Sequence, residues 1–468
     1  MARGKKKETL TPEERLQAAL VPESEQPYPV PGNWCWVRVS SVCEFERGIT
    51  FPASAKEKEP TNTNIPCLRT ANVQDELEID DLIYVDKAYM KGNEAKLVQK
   101  DDIIMSSANS RELVGKTSYV HDVPFPMTFG GFVLTIRAKT IISKYLFYFL
   151  RLEFLSGHFM GESTQTTNIA NINTTKLGGY ALSCPPLAEQ QRIVDRIESL
   201  FARLDEAKQK AQDALDSFEP RKAAILHKAF TGELTAQWRK EHDVGMESWE
   251  EKTINDIGDV KGGKRIPKGM ELTYENTGHP YLKAGNLKQG TVIASGMMYV
   301  TDEILECIKN YTVSAGDVYI TNVGACIGDC GIIPPEYDGA NLTENAVKIT
   351  NLKCNNKWLS YYLSGSSVQQ NIKSMIASAT LGKLSIANIK KIELNIPTSL
   401  DEQIEIVCIL DNLFAKEQQA KDAAEGVLEQ IDLIKKAILA RAFRGELGTN
   451  DPSEESAQEL IKNFIFKM

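Results

Sequence analysis

The sequence predicts an α+β fold: two mixed α/β blocks related by a pseudo-twofold axis and separated by a long antiparallel two-helix coiled coil. One observation is an echo. The phrase AFTGEL at 229–234 returns as AFRGEL at 442–447, an offset of 213 residues. The echo holds one register without a gap from 189 to 234. Glu189 and Gln190 meet Glu402 and Gln403, Ile193 and Val194 meet Ile406 and Val407, Leu200, Phe201 and Ala202 meet Leu413, Phe414 and Ala415, and Ala224, Ile225 and Leu226 meet Ala437, Ile438 and Leu439. A match sustained over that span marks a duplicated unit. The second observation is that each echoed segment carries apolar residues at the spacing of a helical seam. The third is that each comes after a strand-rich stretch opening on tryptophan, Trp36 or Trp249.

In chain order, residues 1–27 form an N-terminal extension in which TPEERLQAAL reads as a short capped helix on a basic arm. The first block, 28–185, holds short apolar runs bounded by Gly, Asn and Pro, which read as strands and turns. It then has a helical piece, SKYLFYFLRLEFLSGHF, and a polar stretch, GESTQTTNIANIN, at 161–173. The first spacer, 186–234, has its seam at Ile193, Ile197, Leu200, Leu204, Ala207, Ala211, Ala214, Phe218 and Ile225. At 1.5 Å per residue, roughly 40 helical residues span about 60 Å. Pro220 should kink or interrupt this helix, and Gly232 should end it.

A linker, 235–246, leads to the second block, 247–398. Here HPYLKAGNL parallels IPCLRTANV of the first block, and SAGDVYITN parallels QKDDIIMSS. A helical piece, NKWLSYYLSGSSVQQNIKSM, and the polar stretch IASATLGKLSIANIKK come next. The second spacer, 399–447, has its seam at Ile406, Leu410, Leu413, Glu417, Ala420, Ala424, Val427, Ile431, Ile434 and Ile438, with Gly445 as its stop, and 448–468 is a tail. Seams of period 3.5 need a partner, and the economical partner of each copy is the other. If the second block's entry and exit are neighbours, the second helix runs back along the first.

Composition bounds the function. Apolar residues are 42% and charged residues 25%, ordinary for a globular chain. The opening MARGKKKETL offers no apolar stretch for a signal peptide, and the run YLFYFLRLEFL is broken by Arg151 and Glu153, so a cytoplasmic protein is expected. Nine cysteines, scattered along the chain, and five histidines lack zinc-site spacing, which suggests free thiols in a reducing compartment. The net charge of −9 does not advertise a nucleic-acid binder. Locally the balance reverses: 339–398 carries seven lysines against Glu344 and Glu393, and 131–185 carries Arg137, Lys139, Lys144, Arg151 and Lys176 against Glu153 and Glu162. Basic, polar stretches of this kind fit phosphate contact.

No motif builds a catalyst. GKT at 115–117 lacks the earlier glycine of a phosphate loop, since Ser110 stands there, and the next residues, SYVHDV, read as strand. Glu94 and Lys96 with Asp86 echo a nuclease triplet, but the second block has no equivalent. No proline-proline-aromatic signature of an amino-methylating enzyme is present, and no glycine-rich cofactor loop comes after a strand.

Two differing blocks, each succeeded by a near-identical long helix, resemble the specificity subunit of type I DNA restriction–modification enzymes. PPLAEQQRIV and SLDEQIEIV at the helix starts, AFTGEL and AFRGEL at their ends, and the block openings PGNWCWVRVSSV and MESWEEKTINDIG carry the resemblance over about 28–447. It implies that each block is a target recognition domain reading one half of a bipartite DNA sequence. It further implies that the helices set the unread spacer and dock two modification (methyltransferase) subunits, with restriction or motor subunits joining for cleavage. S-adenosylmethionine, ATP and Mg would belong to those partners, leaving this chain non-catalytic, with no catalytic residue, metal or cofactor of its own.

Position and polarity then select the residues expected at DNA. In the first block these are Arg69, Asn72, Ser107, Asn109, Arg111, Ser163, Thr164, Gln165, Thr166 and Asn168. In the second they are Lys283, Asn286, Asn322, Ser378, Thr380 and Lys383. The competing readings are a coiled-coil protein adaptor without DNA readout and a stand-alone nuclease or methyltransferase.

Overall fold

A computed structural model describes residues 10–162, 164–166, 169–377 and 382–467. The chain divides into two compact units, 1–210 with 427–468 and 211–426. Both cuts fall inside a 44-residue helix, Leu187–Phe230 or Leu400–Phe443. Each unit therefore holds one mixed block and two helical halves, one from each long helix.

The first block's strands are β1 Cys35–Arg38, β2 Cys43–Arg47, β3 Asn64–Leu68, β4 Ile83–Asp86, β5 Ile103–Ser106, β6 Ala108–Asn109, β7 Thr117–Tyr119, β8 Thr128–Phe129, β9 Val133–Ala138, β10 Thr164–Thr166, β11 Ile169–Asn171 and β12 Ala181–Cys184. The second block's are β13 Trp249–Thr253, β14 Asp259–Gly262, β15 Pro280–Leu282, β16 Leu287–Lys288, β17 Thr291–Val292, β18 Met298–Tyr299, β19 Val318–Thr321, β20 Cys330–Ile332, β21 Asn341–Leu342, β22 Ala346–Thr350 and β23 Glu393–Pro397. Three sheets of each block match in order, while among the described residues β10-β11-β6 belongs to the first block alone and β16-β17 to the second. β2-β9-β5-β7 answers to β14-β22-β19-β20, β4-β3-β8 to β18-β15-β21, and β1-β12 to β13-β23. Even the parallel pairings, β3 with β8 and β15 with β21, recur. The central strands β5 and β19 are buried at every position, which is why both read as nearly continuous apolar runs.

The echoed helix ends are docking points. In the first unit Phe443 is fully buried against Tyr145 and Phe149 of helix Ser143–Leu155, ring centroids 4.9 and 5.6 Å apart. In the second, Phe230 packs on Trp358 and Tyr362 of helix Asn356–Ser364 at 5.7 and 4.9 Å. Tyr145 and Trp358, and Phe149 and Tyr362, stand at the same 213-residue offset as the helices themselves. So do Lys144 and Lys357, which pair with Glu198 and Asp411 at 2.5 and 2.7 Å, and the edge-on stacks of Tyr148 on Phe201 and Tyr361 on Phe414. The glycine of each phrase takes a left-handed turn, φ +79° at Gly232 and +73° at Gly445. A Cβ there would stand 2.8 Å from Met246 Sδ or 2.6 Å from Pro31 Cγ, so only glycine ends these helices in place.

The EQ pairs at the helix starts are clamps. Gln190 accepts from the Ile142 amide (2.8 Å) and donates to the Pro185 carbonyl (2.9 Å). Gln403 accepts from the Asn355 amide (2.7 Å) and donates to the Pro397 carbonyl (2.8 Å). Glu402, fully buried, accepts from Arg239 Nη1 (2.7 Å), Thr235 Oγ1 (2.9 Å) and Trp249 Nε1 (3.2 Å). Glu189 accepts from Thr449 Oγ1 (2.7 Å) and Arg192, which also holds Glu454 (2.8 Å). Within the first unit Glu189 thus meets Thr449 while Asp205 meets Lys435. Within the second Glu402 meets Thr235 while Glu417 meets Arg221. In each unit the helical halves run antiparallel.

Some expectations change. The first long helix continues through Pro220 without interruption. The missing amide removes one backbone bond, and Phe218 is buried just before it while Arg221 just after it reaches Glu417, so flanking contacts offset the loss. The second seam drifts: Val427 and Ile434 are exposed, whereas Ile431, Leu439 and Ala442 are buried. A straight helix turns about 20° per heptad away from a 3.5-residue repeat. The described part of the N-terminal extension, residues 10–27, is packed into the first unit, and the basic arm lies outside the described residues. Thr11 and Glu14 form a capping box, helix Pro12–Ala19 packs on helix Ala457–Ile465, and the Val21 amide donates to the Trp36 carbonyl (3.0 Å). No helix among the described residues is long and apolar enough to cross a membrane.

Phe443→Ala should lower the stability of the first unit by about 3–5 kcal/mol, the usual loss for a buried ring. Arg239→Ala should lower that of the second by about 3–5 kcal/mol, because Glu402 would stay buried without its partner. Calorimetric unfolding checks both, with the exposed Lys210→Ala as an unchanged control; wild-type midpoints for the two core variants would refute the docking.

Candidate nucleic-acid interface

The paired phrases LRTAN and LKAGN form one turn, built twice. Asn72 Oδ1 accepts from the Arg69 amide (2.8 Å), and its Nδ2 donates to the carbonyls of Glu78 (3.1 Å) and Asp81 (2.9 Å). Asn286 Oδ1 accepts from the Lys283 amide (3.3 Å), and its Nδ2 donates to the carbonyls of Ile293 (3.0 Å) and Ser295 (3.2 Å). Both asparagines, expected at DNA, are buried, at 2% and 1% exposure, and their side-chain amides are committed to the turn. Arg69, a third exposed, is held by Asp81 at 2.8 Å, and Lys283 is half-buried beside its turn.

The second recurring phrase is also framework. Asp102 and Asp317 cap their turns by accepting from the Gln99 (2.8 Å) and Ser314 (2.9 Å) amides, and each is buried against a basic residue of the adjoining strand, Arg137 at 2.8 Å or Lys348 at 3.2 Å. Burial pushes the Asp102 carboxyl above its ordinary value, against the lowering effect of Arg137.

Beyond these turns the fold brings distant candidates together. Ser107, just after β5, donates its amide and its hydroxyl to the Phe132 carbonyl, both at 3.0 Å, and accepts from the Ile172 amide at 2.9 Å. Asn109 lies on β6, which pairs with β11 opposite Ala170. The hairpin β10–β11 thus sets the backbone of Thr164, Gln165 and Thr166 in one three-stranded sheet with Asn109. The side chains of those three residues, and all of Ser163 and Asn168, lie outside the described residues. Asn109 binds Ser106 Oγ (3.0 Å) and the Ser110 amide (2.8 Å), while Arg111 is exposed.

The second block repeats the backbone contacts of Ser107. Asn322, just after β19, donates its amide to the Asn345 carbonyl (2.9 Å) and accepts from the Leu384 amide (3.0 Å). That bond sets exposed Lys383 beside Asn322, whose side-chain oxygen is buried without a partner among the described residues. Ser378 and Thr380 lie outside the described residues.

The local charge surplus is largely committed to the fold in the first block, while in the second Lys353, Lys373, Lys383 and Lys391 are exposed. Arg137, Lys139, Lys144 and Arg151 pair with Asp102, Glu44, Glu198 and Asp75, and in the second block Lys348 and Lys357 pair with Asp317 and Asp411. The exposed cations that sequence reasoning passed over are Lys264, Arg265 and Lys268, in the loop after β14. The phrase KGGKRIPKG, with four cations in eight residues, was the available signal. Phe132, 64% exposed at a turn tip, was also passed over.

The candidate catalytic motifs have structural roles instead. GKT enters strand β7, and Lys96 is paired with Glu46. No cluster of metal-ligating side chains occurs among the described residues. Burial pushes the thiols of Cys43, Cys67 and Cys330 up to about 12, which suppresses the thiolate a nucleophile needs.

Known proteins share this double construction. Residues 31–215 and 246–425 match the family described as type I restriction modification DNA specificity domain, once for each block. The chain is 25% identical over 444 residues to the type I restriction enzyme EcoKI specificity subunit of Escherichia coli strain K12, covering 89% of this chain and 90% of that one. Its fold is similar to the HsdS subunit from Thermoanaerobacter tengcongensis, with a TM-score of 0.61 at 18% identity, over 91% of this chain and 100% of that one. It is also similar to a chain from structural work on complex assembly in the type I R-M system, with a TM-score of 0.67 at 18% identity, over 90% of this chain and 100% of that one.

Two substitutions separate frame from surface. Asn72→Ala should lower stability by about 1–3 kcal/mol through unpaired backbone groups. Arg111→Ala should leave unfolding unchanged but weaken binding of any duplex and reduce the salt slope by about one. Thermal unfolding and salt-titrated binding read the two apart, and the reverse pattern would sink the division.

Proposed function

The chain belongs to the type I restriction modification DNA specificity family, and on that premise we propose that each block reads one half of a bipartite duplex target. It is the DNA-recognition subunit of a type I restriction–modification system. The observation that carries the finer reading is the double construction: the same docking helices, clamps and sheet order surround two blocks whose surfaces differ. Related frames with different surfaces suit related tasks on different letters.

In this reading the blocks are target recognition domains. The two long helices set the number of unread base pairs and dock two modification subunits. Those partners carry S-adenosylmethionine and methylate adenine; restriction subunits carry ATP and Mg. This chain binds and positions but performs no bond chemistry, and it works in the cytoplasm, where its substrate lies. Reading two sites on one duplex demands a stiff separation, because base pairs repeat every 3.4 Å and one turn takes about 34–36 Å.

A four-residue insertion near Lys210 adds about 6 Å of helix. It should lengthen the recognised gap by one to two base pairs and leave both half-site sequences intact. Exchange of the first block for that of a relative should change one half-site and keep the gap. Methylome sequencing of cells carrying the chain with its partner subunits reads both; an exchange that leaves the methylated motif unchanged would count decisively against the assignment.

A further inference from the structure

One tight turn is held in the same place in both blocks by the same backbone contacts, yet it offers different chemistry. In the first block the Val133 amide donates to the Gly130 carbonyl (2.8 Å), and the Gly48 amide donates to the Val133 carbonyl (3.2 Å). In the second the Ala346 amide donates to the Thr343 carbonyl (3.3 Å), and the Gly263 amide donates to the Ala346 carbonyl (3.1 Å). A Cβ on Gly48 would stand 2.1 Å from Gly130 O, and one on Gly263 would stand 2.0 Å from Thr343 O. Each turn therefore rests directly on a glycine after β2 or β14. Ser107 and Asn322 hold the other side, through the carbonyls of Phe132 and Asn345.

The backbone is clamped, and the side chains at the tips are not buried by it. Phe132 is 64% exposed. At the second tip Glu344 accepts from Arg265 Nε at 2.5 Å and from Thr343 Oγ1 at 3.2 Å, and the Arg265 side chain is 77% exposed. A single exposed ring on a surface needs no explanation. A turn fixed twice by the same contacts, bonded through Ser107 and Asn322 to Ile172 and Leu384 of the polar segments, that exposes a ring in one copy and in the other orients the guanidinium of the neighbouring loop through Glu344, does.

We propose that the first turn, through Phe132, and the second turn, through the loop cation it orients, read bases in the two halves, a reading that rests on the proposed function. Phe132 makes apolar contact with a thymine methyl group in one half-site. Arg265, aimed by Glu344, donates to the O6 and N7 acceptors of a guanine in the other. Glu344 positions Arg265 and does not itself read.

The experiment is selection from a random duplex library by the full chain assembled with its modification subunits, as wild type, Phe132→Ala and Arg265→Ala. Unfolding curves for both variants should overlay the wild type, since both side chains are exposed. Phe132→Ala should reduce preference for thymine at one position of one half-site by about tenfold, and Arg265→Ala should reduce preference for guanine in the other half-site by about tenfold. Selected motifs unchanged in both variants, or relaxed in both half-sites by either one, overturn the proposal. A wild-type chain that selects no two-part motif overturns the proposed function, and this inference with it.

Discussion

The structure depends on the seating of a helix end on a block. A long helix has an apolar stripe along its length but leaves its terminal backbone groups unsatisfied. Here the last turn inserts a phenylalanine between two aromatic rings, and a left-handed glycine turns the chain away at once. The opposite helix half enters the same unit through a glutamine that bonds the block's backbone twice. Two helical halves and a block are thereby fixed to one another at several points. With only the seam to hold it, each block would be free to swivel, and no surface on it would keep a defined angle to the helices.

The buried carboxylates add specificity to that arrangement more than they add stability. Taking Glu402 out of water costs several kcal/mol, and attraction to Arg239 offsets this only if the geometry is right. Three donors converge on one oxygen, while the other, Oε2, is buried without a partner among the described residues. Such a site tolerates one register of the helix start and penalises its neighbours. In the first unit the equivalent Glu189 draws its donors from Arg192 and from Thr449 in the tail, so the tail does there what the linker does in the second unit. The C-terminal segment is thus structural, which also explains why helix Ala457–Ile465 and the N-terminal helix are packed together against it.

Much of this was legible in the sequence because it is written locally. Period, glycine stops and a constant offset need no knowledge of tertiary contacts, and they placed the two long helices within a residue or two. The same offset runs further back than Glu189, through Lys144, Tyr148 and Leu150 to Lys357, Tyr361 and Leu363, and so already contained the docking face. The charge surplus misled in the first block above all, because sequence counts cannot see that Arg137, like Lys348 in the second, neutralises a buried aspartate that caps a distant turn. Continuation through Pro220 was illegible because side-chain contacts on either side override a local propensity. The convergence of Ser107 with Phe132 and Ile172 depends on pairings across 25 and 65 residues, beyond the reach of any local pattern.

Duplication also reverses a habit of inference. In a single domain, polar residues such as Asn72 suggest a binding role by their chemistry alone. In a doubled chain whose halves read different targets, a residue kept in both copies is better explained by what the copies share, which is their frame. Asn72 with Asn286, Asp102 with Asp317 and Gln190 with Gln403 all obey this: each pair is buried, and each makes the same backbone bonds in both units. The reading surface must then be sought where backbone geometry repeats and chemistry does not. The turns of Phe132 and Asn345 meet that condition, because their carbonyls take the same bonds from Ser107 and Asn322 while one turn exposes a ring and the other orients Arg265 through Glu344. Selection for a common scaffold holds the first kind of position constant, and selection for different letters pulls the second kind apart, so in this molecule divergence at a fixed backbone position is the stronger sign of contact with DNA.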